Sequence, residues 1–139
     1  MSLSQDLGPV IRVVSAAIVR EGALLLVRKR GTDAFMLPGG KAEPGEDEAA
    51  TLRRELDEEL GCGLHPESVA LLGRFAAPAA NEPGFTVQSA VYRGRLEGRP
   101  AIRAEIAQML WFDLRASHGE AVLAPLLRLH VLPALRQAG

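Results

Sequence analysis

The feature that most constrains this chain is the junction where a seventeen-residue loop, GTDAFMLPGGKAEPGED (31–47), runs straight into EAATLRRELDEEL (48–60). Four glycines and two prolines in the loop make it the densest cluster of turn formers in the sequence, which excludes regular structure there. From about Asp47 to Leu60 the pattern changes: Ala49, Leu52, Leu56 and Leu60 recur at intervals of three, four and four, the signature of a helix with one apolar stripe. Gly61 supplies its C-terminal cap. Glu46, Asp47 and Glu48 stand at its start, where they complement the positive end of the helix dipole. So narrow a stripe anchors the helix on a sheet and leaves the other side open.

The sequence supplies the strands for that sheet. The β-branched, apolar run at 11–19 and the run ALLLVRKR at 23–30 predict two strands joined by a tight turn at Arg20-Glu21-Gly22. Residues 69–77, 85–96 and 108–114 predict three more, with Asn81-Glu82-Pro83-Gly84 as a loop between the first two. Residues 119–137 carry an apolar helical pattern broken at Pro125 and Pro133, which reads as one kinked helix or two short ones. With 139 residues, 47% of them hydrophobic, the chain fits a single domain with a core from about 10 to 138.

A net charge of -1 gives no general attraction for a polynucleotide or an anionic membrane, so neither is expected as a partner. The longest apolar runs are far shorter than the ~20 residues a membrane helix needs, and the N-terminus lacks the order of a signal peptide. One cysteine, Cys62, excludes an internal disulfide and a zinc cluster and suits a reducing, cytoplasmic setting.

Four acids lie between Glu55 and Glu59. Glu55, Glu58 and Glu59 are surface neighbours at helical spacing, on a side away from the centre of the leucine stripe. One reading is a solvated helix face in which Arg54 pairs with Glu58. The other is a set of hard oxygen ligands for Mg²⁺, Mn²⁺ or Ca²⁺, since such a cluster is unfavourable unless cations occupy it.

The upstream loop decides between them. From Gly40 onward, GKAEPGEDEAATLRRELDEELGC resembles the Nudix box of the MutT-like Nudix hydrolases. Gly40, Glu46, Arg54, Glu55, Glu58, Glu59 and Gly61 fill its seven fixed positions and Leu56 its first hydrophobic one. At roughly 7% usage per residue, a chance match is on the order of 10⁻⁸ per starting point. Cys62 departs from the usual aliphatic residue at the last position, and Phe35 stands where many members carry Trp.

The resemblance implies an α/β fold, an α/β/α sandwich with a central mixed β-sheet. It also implies Mg²⁺-dependent (or Mn²⁺-dependent) cleavage of a phosphoanhydride bond in a nucleoside diphosphate linked to another group, such as a nucleoside triphosphate or ADP-ribose. Glu55, Glu58 and Glu59 would then be metal ligands or water-activating groups, with the Gly39 carbonyl as a further ligand. Glu46 would orient the site and Arg54 would hold a carboxylate in place. Glu105, with Glu82 behind it, is the candidate general base from outside the box; an exposed surface acid is the alternative.

Gly39 and Gly40 would let backbone approach phosphate and metal closely. Arg12, Arg28 and Lys29 would reach phosphate or simply line a solvated strand edge. Phe35, Phe85 and Tyr92 are available to stack on a base, with core packing as the alternative use of each. Trp111 and Phe112 read as core, and His65, His118 and His130 as surface or structural. Pro78 lies sixteen residues past Cys62, where some ADP-ribose-hydrolysing members have proline. The apolar C-terminal helix offers a homodimer surface. The rival from another class is a catalytically silent nucleotide-binding or regulatory module on the same fold.

Overall fold

The computed structural model describes residues 8–116 and 121–138; the readings of His118 and of the first two residues of the C-terminal helical stretch lie outside them. The strands are β1 (Val10–Ala17), β2 (Val19–Arg20), β3 (Ala23–Lys29) and β4 (Gly39–Gly40), followed by helix α1 (Glu48–Leu60). After it come β5 (Gly63–Leu64), β6 (Ala70–Pro78), β7 (Thr86–Arg93), β8 (Leu96–Glu97), β9 (Ile106–Asp113) and helix α2 (Leu132–Ala138).

A four-stranded mixed sheet has the order β4-β1-β7-β6, with β1 parallel to β7 and the outer pairs antiparallel. Beside it lies an antiparallel sheet, β2-β3-β9, and β5 pairs with β8.

The run expected as one strand over 11–19 divides at Ile18: β1 joins the mixed sheet, and only Val19 and Arg20 turn back onto β3. Glu21 and Gly22 make that turn at φ 52° and 79°, the left-handed pair that matches strand twist in a two-residue hairpin. The run at 85–96 likewise ends at Arg93, and Leu96 pairs with Leu64 in a different sheet.

Two cores flank the strands. Val14, Ala16 and Ile18 join Leu25 and Val27 beneath the α1 stripe, where Leu52, Leu56 and Leu60 are 1%, 0% and 1% exposed. Each such leucine contributes about 1.5–3 kcal/mol by leaving water. Cys62 is buried in the same cluster, so a thiol fills the hydrophobic position. On the other side Ala17, Leu24 and Leu26 pack with Phe35, Leu127, Val131 and Leu132. The alternation of Leu24 and Leu26 against Leu25 and Val27 puts one strand between two helical layers: the arrangement is α/β/α.

Pro125 opens the last helical stretch rather than kinking it, as proline at a first helical position does. Residues 121–124 run extended beside Phe35, whose N–H donates to the Val122 carbonyl at 2.8 Å while Ala124 N donates to the Phe35 carbonyl at 2.9 Å. The turn Leu127–Val131 is π-helical. That wide turn leads into Pro133, which lacks an N–H and would crowd the carbonyl four residues back in a regular helix. Among the described residues no helix is long and apolar enough to cross a membrane.

Candidate active site

Helix α1 begins where its side chains require. The Asp47 carboxylate accepts from Ala50 N at 2.8 Å, satisfying an N–H that a helix start leaves unpaired. At the other end Gly61 adopts φ 67° and donates to the Asp57 carbonyl at 3.0 Å. With both ends fixed and the leucines down, Arg54, Glu55, Glu58 and Glu59 rise into a groove of about 1280 Å³ bounded by β4 and the loops after β3 and β6.

Arg54 is the hub. Its Nε and Nη2 grip Glu46 at 2.6 and 2.9 Å, the fork geometry that makes such pairs strong. Nη1 reaches Glu55 at 3.0 Å and Glu58 at 3.3 Å, and Nη2 also donates to the Lys41 carbonyl at 2.9 Å. Glu43 stands 3.1 Å away. The guanidinium hydrogen bonds hold the Glu46 carboxyl down at about 2. Thr51, wholly buried, adds a hydroxyl donor to Glu46 at 3.2 Å. The Arg54–Glu58 pairing of the solvated-face reading therefore exists, as one contact of five partners.

Glu59 behaves oppositely. It is 7% exposed and accepts from Gly39 N at 3.2 Å. Burial pushes its carboxyl up to about 7, with the Glu55 and Glu105 charges adding to the effect and Lys29 opposing it. Burial also raises Glu55, although Arg54 pulls it back. Desolvation thus sets both carboxyls against ionisation, Glu59 more than Glu55, which has Arg54 beside it.

The glycines of β4 are there for space. A Cβ on Gly40 would lie 2.0 Å from Glu55 Oε2, and one on Gly39, at φ 149°, would lie 2.1 Å from the Val14 carbonyl oxygen. Only a bare backbone lets β1, β4 and the Glu55 carboxylate meet.

Other candidates fall differently. Arg28 commits its guanidinium to Gln108 and the Thr32 carbonyl at 3.0 and 2.8 Å, and it is Lys29 and Arg30 that line the groove. Arg30 escaped the sequence reading because a bulge between Arg28 and Lys29 resets the alternation by which strand faces are assigned. Phe35 is in the core. Tyr92 donates its hydroxyl to Glu48, which also pairs with Arg74 at 2.7 Å. Glu82, Pro78 and Glu105 line the groove, as do the aliphatic side chains of Ile11, Val13 and Leu127.

In donor chemistry the Glu55–Glu59 pair suits a hard divalent cation. Glu58, 52% exposed and turned to Arg54, would have to leave that partner to join them. Among the described residues no three Asp, Glu, His or Cys side chains converge as a ready-made cation cage.

The NUDIX domain family matches residues 9–129. The chain belongs to the NUDIX hydrolase family. A MutT NUDIX hydrolase from Burkholderia pseudomallei has the same fold, with a TM-score of 0.72 and 26% identity over 94% of this chain and 98% of that one. A bifunctional NMN adenylyltransferase/ADP ribose pyrophosphatase from Francisella tularensis, solved with AMP and a manganese ion, shares the fold at a TM-score of 0.67 and 19% identity, covering 95% of this NUDIX chain and 43% of that protein. An RNA pyrophosphohydrolase from Halorhodospira halophila (strain DSM 244 / SL1) is 43% identical over 53 residues, a stretch that covers 38% of this chain and 28% of the relative.

Proposed function

We propose that this NUDIX domain is a single-domain pyrophosphohydrolase that cleaves a phosphoanhydride bond in a nucleoside diphosphate linked to another group, with Mg²⁺ or Mn²⁺ as cofactor. The observation that carries the reading is the pair of Glu59, buried, and Glu55, half-buried, beside Gly39 and Gly40, both held toward the neutral form by desolvation. The manganese ion and AMP found with the Francisella protein are in keeping with it.

In this reading Glu55 and Glu59, joined by Glu58 and the Gly39 carbonyl, hold the cation. When bound, it supplies Lewis-acid neutralisation of the diphosphate oxygens. The chain's own side chains do the rest. Arg54, fixed by Glu46, sets the rotamer of Glu55, so that ligand is pre-positioned, while Glu58 leaves Arg54 to join it. Lys29 lines the groove and offsets the charge of the acids. Glu105, in the groove that Glu59 also lines, accepts the proton of the attacking water. The aliphatic side chains hold the nucleoside.

A catalytically silent nucleotide-binding module is the second reading, favoured by one observation, the engagement of Glu58 with Arg54 in place of a closed carboxylate set. One experiment separates them. The protein is incubated with Mg²⁺ and a panel of nucleoside triphosphates, ADP-ribose, nucleotide sugars, dinucleoside polyphosphates and an RNA bearing a terminal phosphoanhydride, and phosphate, pyrophosphate and nucleoside monophosphate are quantified. Turnover abolished in Glu59→Gln supports the hydrolase. Binding without turnover on every member, with Mg²⁺ and with Mn²⁺, assigns the silent module.

A further inference from the structure

Glu105 reaches the groove from a loop, and its side chain is exposed. A proton acceptor must nevertheless keep a set distance from the reacting water. What fixes it is backbone. On one side the loop is tied to the end of α1: Ala101 N donates to the Leu60 carbonyl at 3.0 Å, and Arg103 N to the Glu59 carbonyl at 2.9 Å. The Arg103 guanidinium adds a bond to the Asp57 carbonyl at 3.3 Å.

On the other side Ile106 pairs with Lys29 at the start of β9 and donates its N–H to the Arg103 carbonyl at 3.1 Å, and Arg30 supplies the only side-chain bond to the turn seen among the described residues. Its N–H donates to the Glu105 carbonyl at 2.8 Å, and its Nη2 donates to the Ala104 carbonyl. Between the two anchorages Ala104 sits at φ 53°, a left-handed conformation that residues with a Cβ avoid and that persists only where surrounding contacts impose it. This turn places Glu105 in the groove that Glu59 also lines, near enough for its charge to act on Glu59. Without the guanidinium bond, Ala104 is freer to relax toward a right-handed or extended geometry and shift the carboxylate.

We infer that Arg30 is a positioning residue, whose guanidinium bond to the Ala104 carbonyl, added to a main-chain bond that any residue at this position would keep, holds the Ala104 turn and so keeps the Glu105 carboxylate in the groove that Glu59 also lines. The inference rests on the hydrolase reading above and on Glu105 as proton acceptor.

The test is a double-mutant cycle on the panel substrate the full chain cleaves fastest, with Mg²⁺, each variant first shown to unfold cooperatively. Arg30→Ala lowers kcat by roughly ten- to a hundredfold, the usual consequence of a displacement of about 1 Å, while KM changes by less than about threefold, as expected when ground-state binding is untouched. Arg30→Lys, able to keep one bond to the Ala104 carbonyl, recovers part of the lost kcat. In a Glu105→Gln background Arg30→Ala has almost no further effect, because the group it positions is already gone.

A rise in KM at constant kcat, or the same loss of kcat in both backgrounds, overturns the inference, since Arg30 would then act on the substrate directly. Full activity in Arg30→Ala also overturns it and leaves the hydrolase reading intact. A wild-type chain inactive on the whole panel overturns both.

Discussion

At the scale of single residues, Glu59 concentrates the electrostatic tension of the molecule. Burial raises its carboxyl from the ordinary 4.5 to about 7, so the folded state holds that proton more tightly than the unfolded one. The stability this provides is complete below about pH 4.5 and is lost as pH rises through 7; the gap corresponds to about 3 kcal/mol. Without metal, Glu59→Gln is therefore expected to raise the melting temperature at pH 8 and to leave it nearly unchanged at pH 4.5, measured by thermal unfolding in EDTA. Glu46 acts with the opposite sign in a lower window. Its carboxyl is held down at about 2, so its contribution is present above pH 4.5 and fades as pH falls toward 2. The two glycines of β4 separate structure from chemistry. Gly39→Ala drives a Cβ into the Val14 carbonyl at 2.1 Å, backbone that cannot yield, and should lower stability by more than about 2 kcal/mol. Gly40→Ala meets the end of the Glu55 side chain at 2.0 Å, which swings aside; denaturant melts should show a smaller loss, while kcat falls roughly ten- to a hundredfold as a carboxylate leaves its place.

Among the elements, α1 carries the site and was the most legible. Its leucine period, its capping aspartate and Gly61 each follow local rules, and the observed Glu48–Leu60 with Asp47 as cap differs by one residue from the expected start. Leu56→Ala, at a position with no exposure, is expected to cost about 2–5 kcal/mol, and Asp47→Ala about 1 kcal/mol, both readable from urea denaturation. The strands were harder to read. Residues 11–19 are apolar on both faces because β1 lies between two helical layers, and a strand buried on both sides shows no alternation to mark where it changes sheet. The bulge after Arg28 hid Arg30 for a related reason, since alternation predicts a face only while pairing is regular. At the C-terminus the prolines were visible but their roles were not: Pro125 starts a helix because residues 121–124 are held against Phe35, a contact between segments far apart in sequence.

In the whole molecule, the mixed sheet, the β2-β3-β9 sheet and α1 converge on one groove lined by both acidic and aliphatic side chains. The acidic lining was legible because the box residues lie on one helix and one loop. Sequence left Phe35 open between core and base stacking and Arg28 open between phosphate and a strand edge, because their surroundings are set by the C-terminal stretch and by β9, neither of which a local pattern reveals. The fold thus holds Glu59 out of water, with Glu55 half-buried next to it, and a divalent cation would supply the positive charge that lets both ionise. Calorimetric titration of Mn²⁺ at pH 7, repeated in two buffers of different ionisation enthalpy to count protons released, tests this most directly, because a cation must displace the proton that burial has stabilised. The expected result is saturable uptake with release of a fraction of a proton, since burial raises the Glu59 carboxyl to about 7, and a smaller release from Glu59→Gln. Uptake without proton release, the same release from the Gln variant, or no uptake at all would contradict it.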